Sequence, residues 1–501
     1  MVCNLYLGDS YAMLEPFVSE RVVKELTYWH RKSVRTGRGM KMSGETKQLF
    51  TMDQRVSMVT QQMADHLVTL PGFAMKIHSI MTEEGFHVNF VDNRSTLPAM
   101  DLESALSKLR DYQKPAAYTM LHSYGGILNC PTGWGKTHLM ASIIRGYPHD
   151  ELNARSTPQT VVVTPGTDLA EKNFLSLEDI LYNDREVGLI CTGHRDFCDD
   201  VQVVTPESLH HVDLSQCGLL LYDEAHTLSG ARADRVMKAV HAIKCGFSAT
   251  PTGRCDGADL VVEGCFGPIV YKRTYQQAVD DGAVVPITVY WVPTSRPRNW
   301  QDWKQRDTIY RHALWANPEH HQMVKEIMTE VIPHDVQTLA VVDKLSHMDN
   351  IVGVMPELTY VHGTERDKDL AKIKPKIITG VTKARRKQIY KEVESGERKR
   401  AIASGIYRTG VDFPNLTVLL NLAGMKSSII NTQLPGRTGR NIDGKESAYL
   451  IDFWHGWNRV EDPNGRVKDG PLLRDCRARE KVYRDLGFEQ RSVTSLQDIR
   501  I

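Results

Sequence analysis

The stretch Asn129–His138 reads NCPTGWGKTH, and its residue types can hold a polyphosphate. Gly133 and Gly135 permit a backbone turn that other residues resist. Lys136 offers a mobile positive charge for the β- and γ-phosphates, and the Thr137 hydroxyl offers a ligand to magnesium. Pro131, Thr132, Trp134 and His138 complete the candidate loop. The strict pattern G-x-x-x-x-G-K-[ST] asks for glycine at its first position, where this chain has Cys130.

A second stretch, LLLYDEAH, places Asp223 and Glu224 at the end of an apolar run. A buried strand with carboxylates at its carboxyl end is the natural metal position in an open α/β sheet. Asp223 would bind the magnesium held by Thr137. Glu224 would orient and deprotonate an attacking water. Alone, the DEAH stretch reads equally as a helix N-cap with an acidic first turn. Downstream of a phosphate loop in the same sheet, the catalytic reading takes precedence.

The surrounding pattern supplies the elements that must position these residues. GGILNC, TVVVTP, VGLIC, VQVVT, LLLYDE and KCGFSAT read as short buried strands, with helical spacing in KTHLMASIIRG, TDLAEKNFLSL and ARADRVMKAVHAI. Apolar β-branched runs separated by helices predict a parallel sheet covered on both faces. The alternation resumes at ITVYWV, continues through a long helical pattern from Trp300 to Ile332, and then gives QTLAVVD, TYVHG, KIITG, RAIAS, LTVLLNLAG and SAYLIDF as strands. The expected organisation is a small domain over 1–100, an α/β domain over 101–285, a second over 286–455, and a helical tail over 456–501. VTLPGFAMKIHSIMTEEGFHVNFVD predicts a helix then a strand in the first part.

The chain has 501 residues, 41% hydrophobic and 25% charged, which is globular composition. Net charge is +1, so a nucleic-acid surface would have to come from local Lys and Arg clusters. Nine cysteines are scattered without a C-x-x-C pair, which argues against a zinc site or a disulfide framework and for buried reduced thiols. Neither a membrane-length apolar run nor a signal-peptide pattern is present, so no membrane partner and a cytoplasmic location are expected.

With PTGWGKT, DEAH, SAT at Ser248, Ala249 and Thr250, and QLPGRTGR at Gln433–Arg440 in this order, the chain resembles superfamily 2 helicases. That resemblance implies two tandem RecA-like parallel-sheet domains that use ATP and Mg2+. It implies further roles for named residues. LRDYQ resembles the adenine-reading segment, with Arg110 and Gln113 in the contacting positions. VVVTPGTDLA and VVTPESL resemble the two segments that touch the phosphates of one strand, through Thr164, Pro165 and Gly166 and through Thr205, Glu207 and Pro206. Gly380 and Ser404 match strand-contacting positions farther on. YRTGVDFPNL places Gly410 and Asp412 toward the nucleotide, and Gln433, Arg437 and Arg440 match positions that reach the ATP. Arg437 and Arg440, at i and i+3, are expected to project together from a helix start, with Arg440 as the finger on the γ-phosphate. His226 with Ser248, Ala249 and Thr250 would carry the state of that phosphate to the strand-binding surface. In this family the first loop position is often another small residue, so Cys130 is a mild departure.

Within the superfamily, LLNLAGMKSSIINTQLPGRTGR, GKESAYLIDF and LRDYQ are most similar to UvsW-type phage helicases and their relatives, RecG and XPB. The resemblance implies remodelling of branched or forked DNA with little sequence preference, including RNA–DNA hybrids, by a monomer. The alternatives are a double-strand translocase that does not separate strands and an ATP-gated nucleic-acid switch. Three further features are candidates for strand contact: the basic KARRKQIYKEVESGERKR, the Trp-rich WVPTSRPRNWQDWKQRDTIYRHALW, and a protruding hairpin at Thr364–Pro375.

Overall fold

Thr160–Val163, Val201–Val204 and Leu219–Asp223 are buried at every position. Runs without a solvent face need cover on both sides, and this dictates the architecture. The computed structural model describes residues 2–16, 19–34, 50–63, 65–95, 98–148, 159–252, 258–298, 300, 305–363, 376–404, 413, 415–424, 435–436, 438–442, 444–461 and 465–501. The chain divides into two compact units: Met1–Cys130 with Gly135–Lys272, and Pro131–Trp134 with Arg273–Ile501.

The first unit is built on an eight-stranded sheet. Its order is His194–Arg195, Val187–Cys191, Val201–Val204, Thr160–Val163, Leu219–Asp223, Ile243–Ser248, Gly126–Asn129 and Ile269–Lys272. Every neighbouring pair is parallel except the short edge strand His194–Arg195. A five-stranded sheet precedes it, in which Val2–Leu7 lies between antiparallel Ala12–Glu15 and parallel His87–Asp92. Helix Ala74–Glu83 buries Ile77, Ile80 and Met81 into that sheet's core. The same core reaches Leu260 of helix Asp259–Phe266, and Lys76 pairs with Glu263 at 3.1 Å. Gly72 is required there, because a Cβ would lie 2.1 Å from the Glu263 carbonyl oxygen.

The second unit carries a seven-stranded, fully parallel sheet. Its order is Thr359–Val361, Arg400–Ala403, Thr338–Val341, Val418–Asn421, Ala448–Trp454, Ile287–Pro293 and Glu489–Ser492. Parallel α/β organisation with this pattern of crossover helices is the fold expected from the sequence.

Three local expectations are corrected. KIITG is not a strand: the backbone N–H groups of Lys376, Ile377 and Ile378 all donate to the buried Asp349 carboxylate, at 2.8, 2.7 and 2.9 Å. Amides gathered on one carboxylate cannot also form a ladder. The helical pattern from Trp300 to Ile332 is interrupted after Trp315, where the Asn317 side chain accepts from Glu319 N–H and Pro318 begins the next helix. A proline removes a donor and fits only the first helical turn. The tail is more than helical. Helix Pro471–Asp485 buries Leu472, Leu473, Cys476, Arg479 and Tyr483, and Glu489–Ser492 then joins the sheet edge beside Ile287–Pro293.

Candidate nucleotide site

Parallel register brings the chemical residues to one end of the first sheet. Tyr222 stands beside Val163, Asp223 beside Phe247, and Ser248 beside Asn129. The residues that follow these strands therefore emerge together at the carboxyl ends, where ligands bind in open α/β sheets.

The phosphate loop is shaped by its glycines. Gly133 has φ +88° and Gly135 φ +99°. At Gly135 the left-handed backbone calls for glycine, and a Cβ would also press on the end of the Gln113 side chain. Helix Lys136–Gly146 starts immediately after, and its first N–H groups have no partner within the helix, the usual setting for a bound phosphate. Cys130 is fully buried and its N–H donates to the Ser248 carbonyl at 3.3 Å, so a small apolar side chain fits the loop's first position. Lys136 Nζ donates to the Cys130 carbonyl at 3.3 Å. Thr137 is half-buried and His138 exposed on the first helical turn. Within the second unit, a Cβ on Gly133 would lie 3.2 Å from Val284 and 3.4 Å from Arg440 Cγ, and Trp134 Nε1 donates to Asp281 at 3.3 Å.

Gln113 is buried and faces this loop. Its Oε1 accepts the Arg110 N–H at 3.2 Å and its Nε2 donates to the Gly135 carbonyl at 3.5 Å. The exposed Arg110 guanidinium donates to Tyr112 Oη at 3.2 Å.

Asp223 is 6% exposed. Burial, then the neighbouring Glu224 charge, raises its carboxyl to about 6, against the opposing pull of Lys136 and the Asn173 hydrogen bond. A carboxylate that is buried and only weakly neutralised is suited to a divalent cation. Glu224 follows with φ +48°, a left-handed conformation that costs a residue with a Cβ about 1–2 kcal/mol. That turn lets its N–H donate to Asp223 Oδ1 at 3.0 Å while its carboxylate reaches His226 Nδ1 at 3.3 Å. His226 is buried and also lies 3.0 Å from Ser248 Oγ, which accepts the Thr250 N–H at 3.0 Å. DEAH and SAT are thereby joined through Glu224, His226, Ser248 and Thr250; Ala249 lies half-buried between the last two.

Among the strand-contact candidates, Thr164, Thr205 and Pro206 are buried, Pro165 is half-buried, and Gly166 and Glu207 are exposed. Glu207 is exposed and paired with Arg232 at 2.5 Å. Ser404 is nearly buried at the end of its strand, its N–H on the Val361 carbonyl, and Gly380 is half-buried. Trp291 is a core residue that donates to Gln490 at 2.8 Å rather than an exposed stacking platform.

Arg440 follows the helical residues Pro435 and Gly436 and a turn at Thr438–Gly439. It forms an isolated antiparallel bridge with Val284, and Val285 N–H donates to the Gly439 carbonyl at 2.7 Å. Gly439 lies in the preceding turn and packs closely on Tyr275 Oη. Arg437, Gln433, Gly410, Asp412 and the Thr364–Pro375 hairpin lie outside the described residues.

Sequence reasoning missed Asn173. Its Nδ2 donates to Asp223 Oδ2 at 2.9 Å and to Thr164 Oγ1 at 3.1 Å. It sits in a helix that reads as ordinary amphipathic cover, and only a buried polar residue on the apolar face hinted at it.

Residues 106–253 match the family described as "Type III restriction enzyme, res subunit". The chain is 24% identical to the DNA 3'-5' translocase XPB2 of Sulfurisphaera tokodaii, over 69% of this chain and 81% of that protein. It is 23% identical to the ATP-dependent DNA helicase uvsW of Enterobacteria phage T4, over 72% and 74%. In fold it is similar to S. cerevisiae Dbp5 bound to RNA and ADP BeF3, with a TM-score of 0.54 at 16% identity over 78% of this chain and 93% of that one. Motif order, matched family and relatives agree in one direction: the chain is similar to ATP-dependent helicases and translocases of superfamily 2.

Proposed function

We propose that the chain couples magnesium-dependent ATP hydrolysis to movement along DNA and to remodelling of branched or forked DNA. The observation that carries its ATP part is the placement of the buried Asp223 carboxylate at a sheet end shared with Lys136 and Glu224. Such a site favours a metal-bound triphosphate over an empty state. Lys136 would hold the β- and γ-phosphates, and Thr137 and Asp223 would hold magnesium, which supplies charge neutralisation on the transferring phosphoryl group. Glu224 would take the proton of the attacking water, and Arg437 and Arg440 would supply further positive charge to the phosphates. The names of the uvsW and XPB2 relatives support DNA as the track.

The test is a substrate panel. ATPase is measured with single-stranded, duplex, forked and four-way DNA and with an RNA–DNA hybrid, followed by strand displacement on each. Stimulation greatest on branched DNA, with strand displacement, is the expected result; equal stimulation by every DNA without displacement would sink it. The XPB2 relative is named a translocase, which favours one second reading: duplex-stimulated ATPase that displaces a triplex strand yet leaves forks paired.

A further inference from the structure

Asn173 is 4% exposed and lies on helix Thr167–Ile180, which begins directly after Gly166. Its two amide hydrogens go to the ends of different strands: one to Asp223 Oδ2 at 2.9 Å, the other to Thr164 Oγ1 at 3.1 Å. The amide's orientation follows from chemistry, because an ionised carboxylate only accepts. With its oxygen turned to Asp223, Asn173 would set two acceptors against each other. Thr164 is itself buried and immediately precedes Pro165 and Gly166, where the chain returns to the surface. Gly166 has φ +82° and nothing within 4 Å of where a Cβ would stand, so this turn is open to a ligand. One side chain therefore ties the carboxylate at the metal position to the loop that leads to the helix N-terminus.

We propose that Asn173 is a positioning residue that couples strand binding at the Pro165–Gly166 turn to the Asp223 carboxylate. The inference rests on the nucleic-acid function proposed above. A phosphate drawn to the start of helix Thr167–Ile180 biases the position of that helix. Asn173 rides on the same rigid element and passes the bias to Asp223 Oδ2. Because coupling between two binding sites is reciprocal, nucleotide must change strand affinity by the same factor that strand changes nucleotide affinity.

The test uses the full chain as wild type, Asn173→Leu and Thr164→Val. The Kd of a fluorescent single-stranded oligonucleotide is measured with and without magnesium and ADP–beryllium fluoride. Wild type is expected to show a ratio of about tenfold or more, and Asn173→Leu a ratio near one with the nucleotide-free Kd little changed. At saturating DNA, kcat of Asn173→Leu should fall about tenfold while KM for ATP stays within about twofold, a split that loosened packing alone would not produce. Thr164→Val, isosteric and lacking the hydroxyl acceptor, should lower the binding ratio as well. A wild-type ratio in Asn173→Leu overturns the proposal. Should Asn173→Leu fail to fold, a full ratio in Thr164→Val overturns it instead. A wild type that shows neither nucleotide-dependent strand binding nor stimulated ATPase overturns the function reading itself, an outcome separate from loss confined to the variants.

Discussion

Each large parallel sheet carries a buried aspartate near the carboxyl end of a strand, and the two are treated in opposite ways. Asp452 receives both Nε and Nη2 of Arg479 at 2.9 and 3.0 Å, with Asn421 Nδ2 at 3.0 Å, Tyr483 Oη at 2.9 Å and the Phe453 N–H at 2.7 Å. Those donors occupy the acceptor sites a carboxylate has. The Coulombic pull of Asp452 in turn raises Arg479, against its own desolvation. Asp223 receives two uncharged donors, Asn173 Nδ2 and the Glu224 N–H. A like charge adjoins it and its carboxyl is raised. The first aspartate is closed and holds a helix onto a sheet. The second is left short of positive charge, and that shortage is what a bound cation would meet. The two buried carboxylates differ in the saturation of their donors, and on the proposed function that difference marks Asp223 as the one left for a cation.

Substitution at the two aspartates should give opposite phenotypes. Asp223→Asn removes an under-neutralised charge, so turnover should fall at least about 100-fold with the melting temperature unchanged or higher. Lys136→Ala and Glu224→Gln should fall comparably in a steady-state ATPase assay. Wild-type hydrolysis in any of the three would mean the site lies elsewhere.

Asp452→Asn should cost about 3–5 kcal/mol in denaturant unfolding, because it strands a buried guanidinium. The double replacement Asp452→Leu with Arg479→Met should recover most of that loss, since a packed apolar pair avoids desolvating two charges. A double variant no better than the single one would show that the pair is worth more than its burial.

Acid should separate the two regions more gently. The Asp223 carboxyl is raised in the fold to about 6, so its protonated form favours folding below the ordinary carboxylate value of 3.8, and that contribution is lost as pH rises through about 6. Magnesium affinity should run the other way and weaken below pH 6, measurable by titration with a fluorescent ADP. The second unit contains His320, His347 and His455, all buried and all held below the ordinary histidine value of 6.5 by burial first, with His320 lowered to about 3. Their contribution is full above pH 6.5 and is lost as pH falls toward 3. His347→Leu should reduce the acid sensitivity of unfolding, a smaller effect than either aspartate replacement. Unchanged sensitivity would place the acid-labile groups elsewhere.

The strands and the candidate phosphate loop were legible because each is a local signal: a run of apolar residues, a glycine two before Gly-Lys-Thr, a helix start. The place of Asp223 and Glu224 at the end of a buried strand was legible for the same reason, as charged residues closing an apolar run. Asn173 was not, because its meaning lies in partners at 164 and 223 that only the sheet register brings near. The Asp452–Arg479 pair was hidden likewise, one member in a strand and the other in a helix that reads as basic and amphipathic. The bridge from Arg440 to Val284 was not legible either, because its partner lies far back in the chain. KIITG looked like a strand by composition, and a single carboxylate redirected its amides.

The strand Glu489–Ser492 finishes the second sheet by lying beside Ile287–Pro293, some of the earliest residues of that unit. During synthesis the first sheet has all its strands once Ile269–Lys272 has left the ribosome. The second cannot cover the Ile287–Pro293 edge until Glu489–Ser492 has followed, so for that interval the nascent chain carries an apolar strand with one unpaired side. Domains that emerge first fold first, and exposed edges invite pairing with other chains. Expression yield should therefore be set by how long this edge stays open, which makes translation speed across the final helix and strand a lever on how much active enzyme a cell obtains.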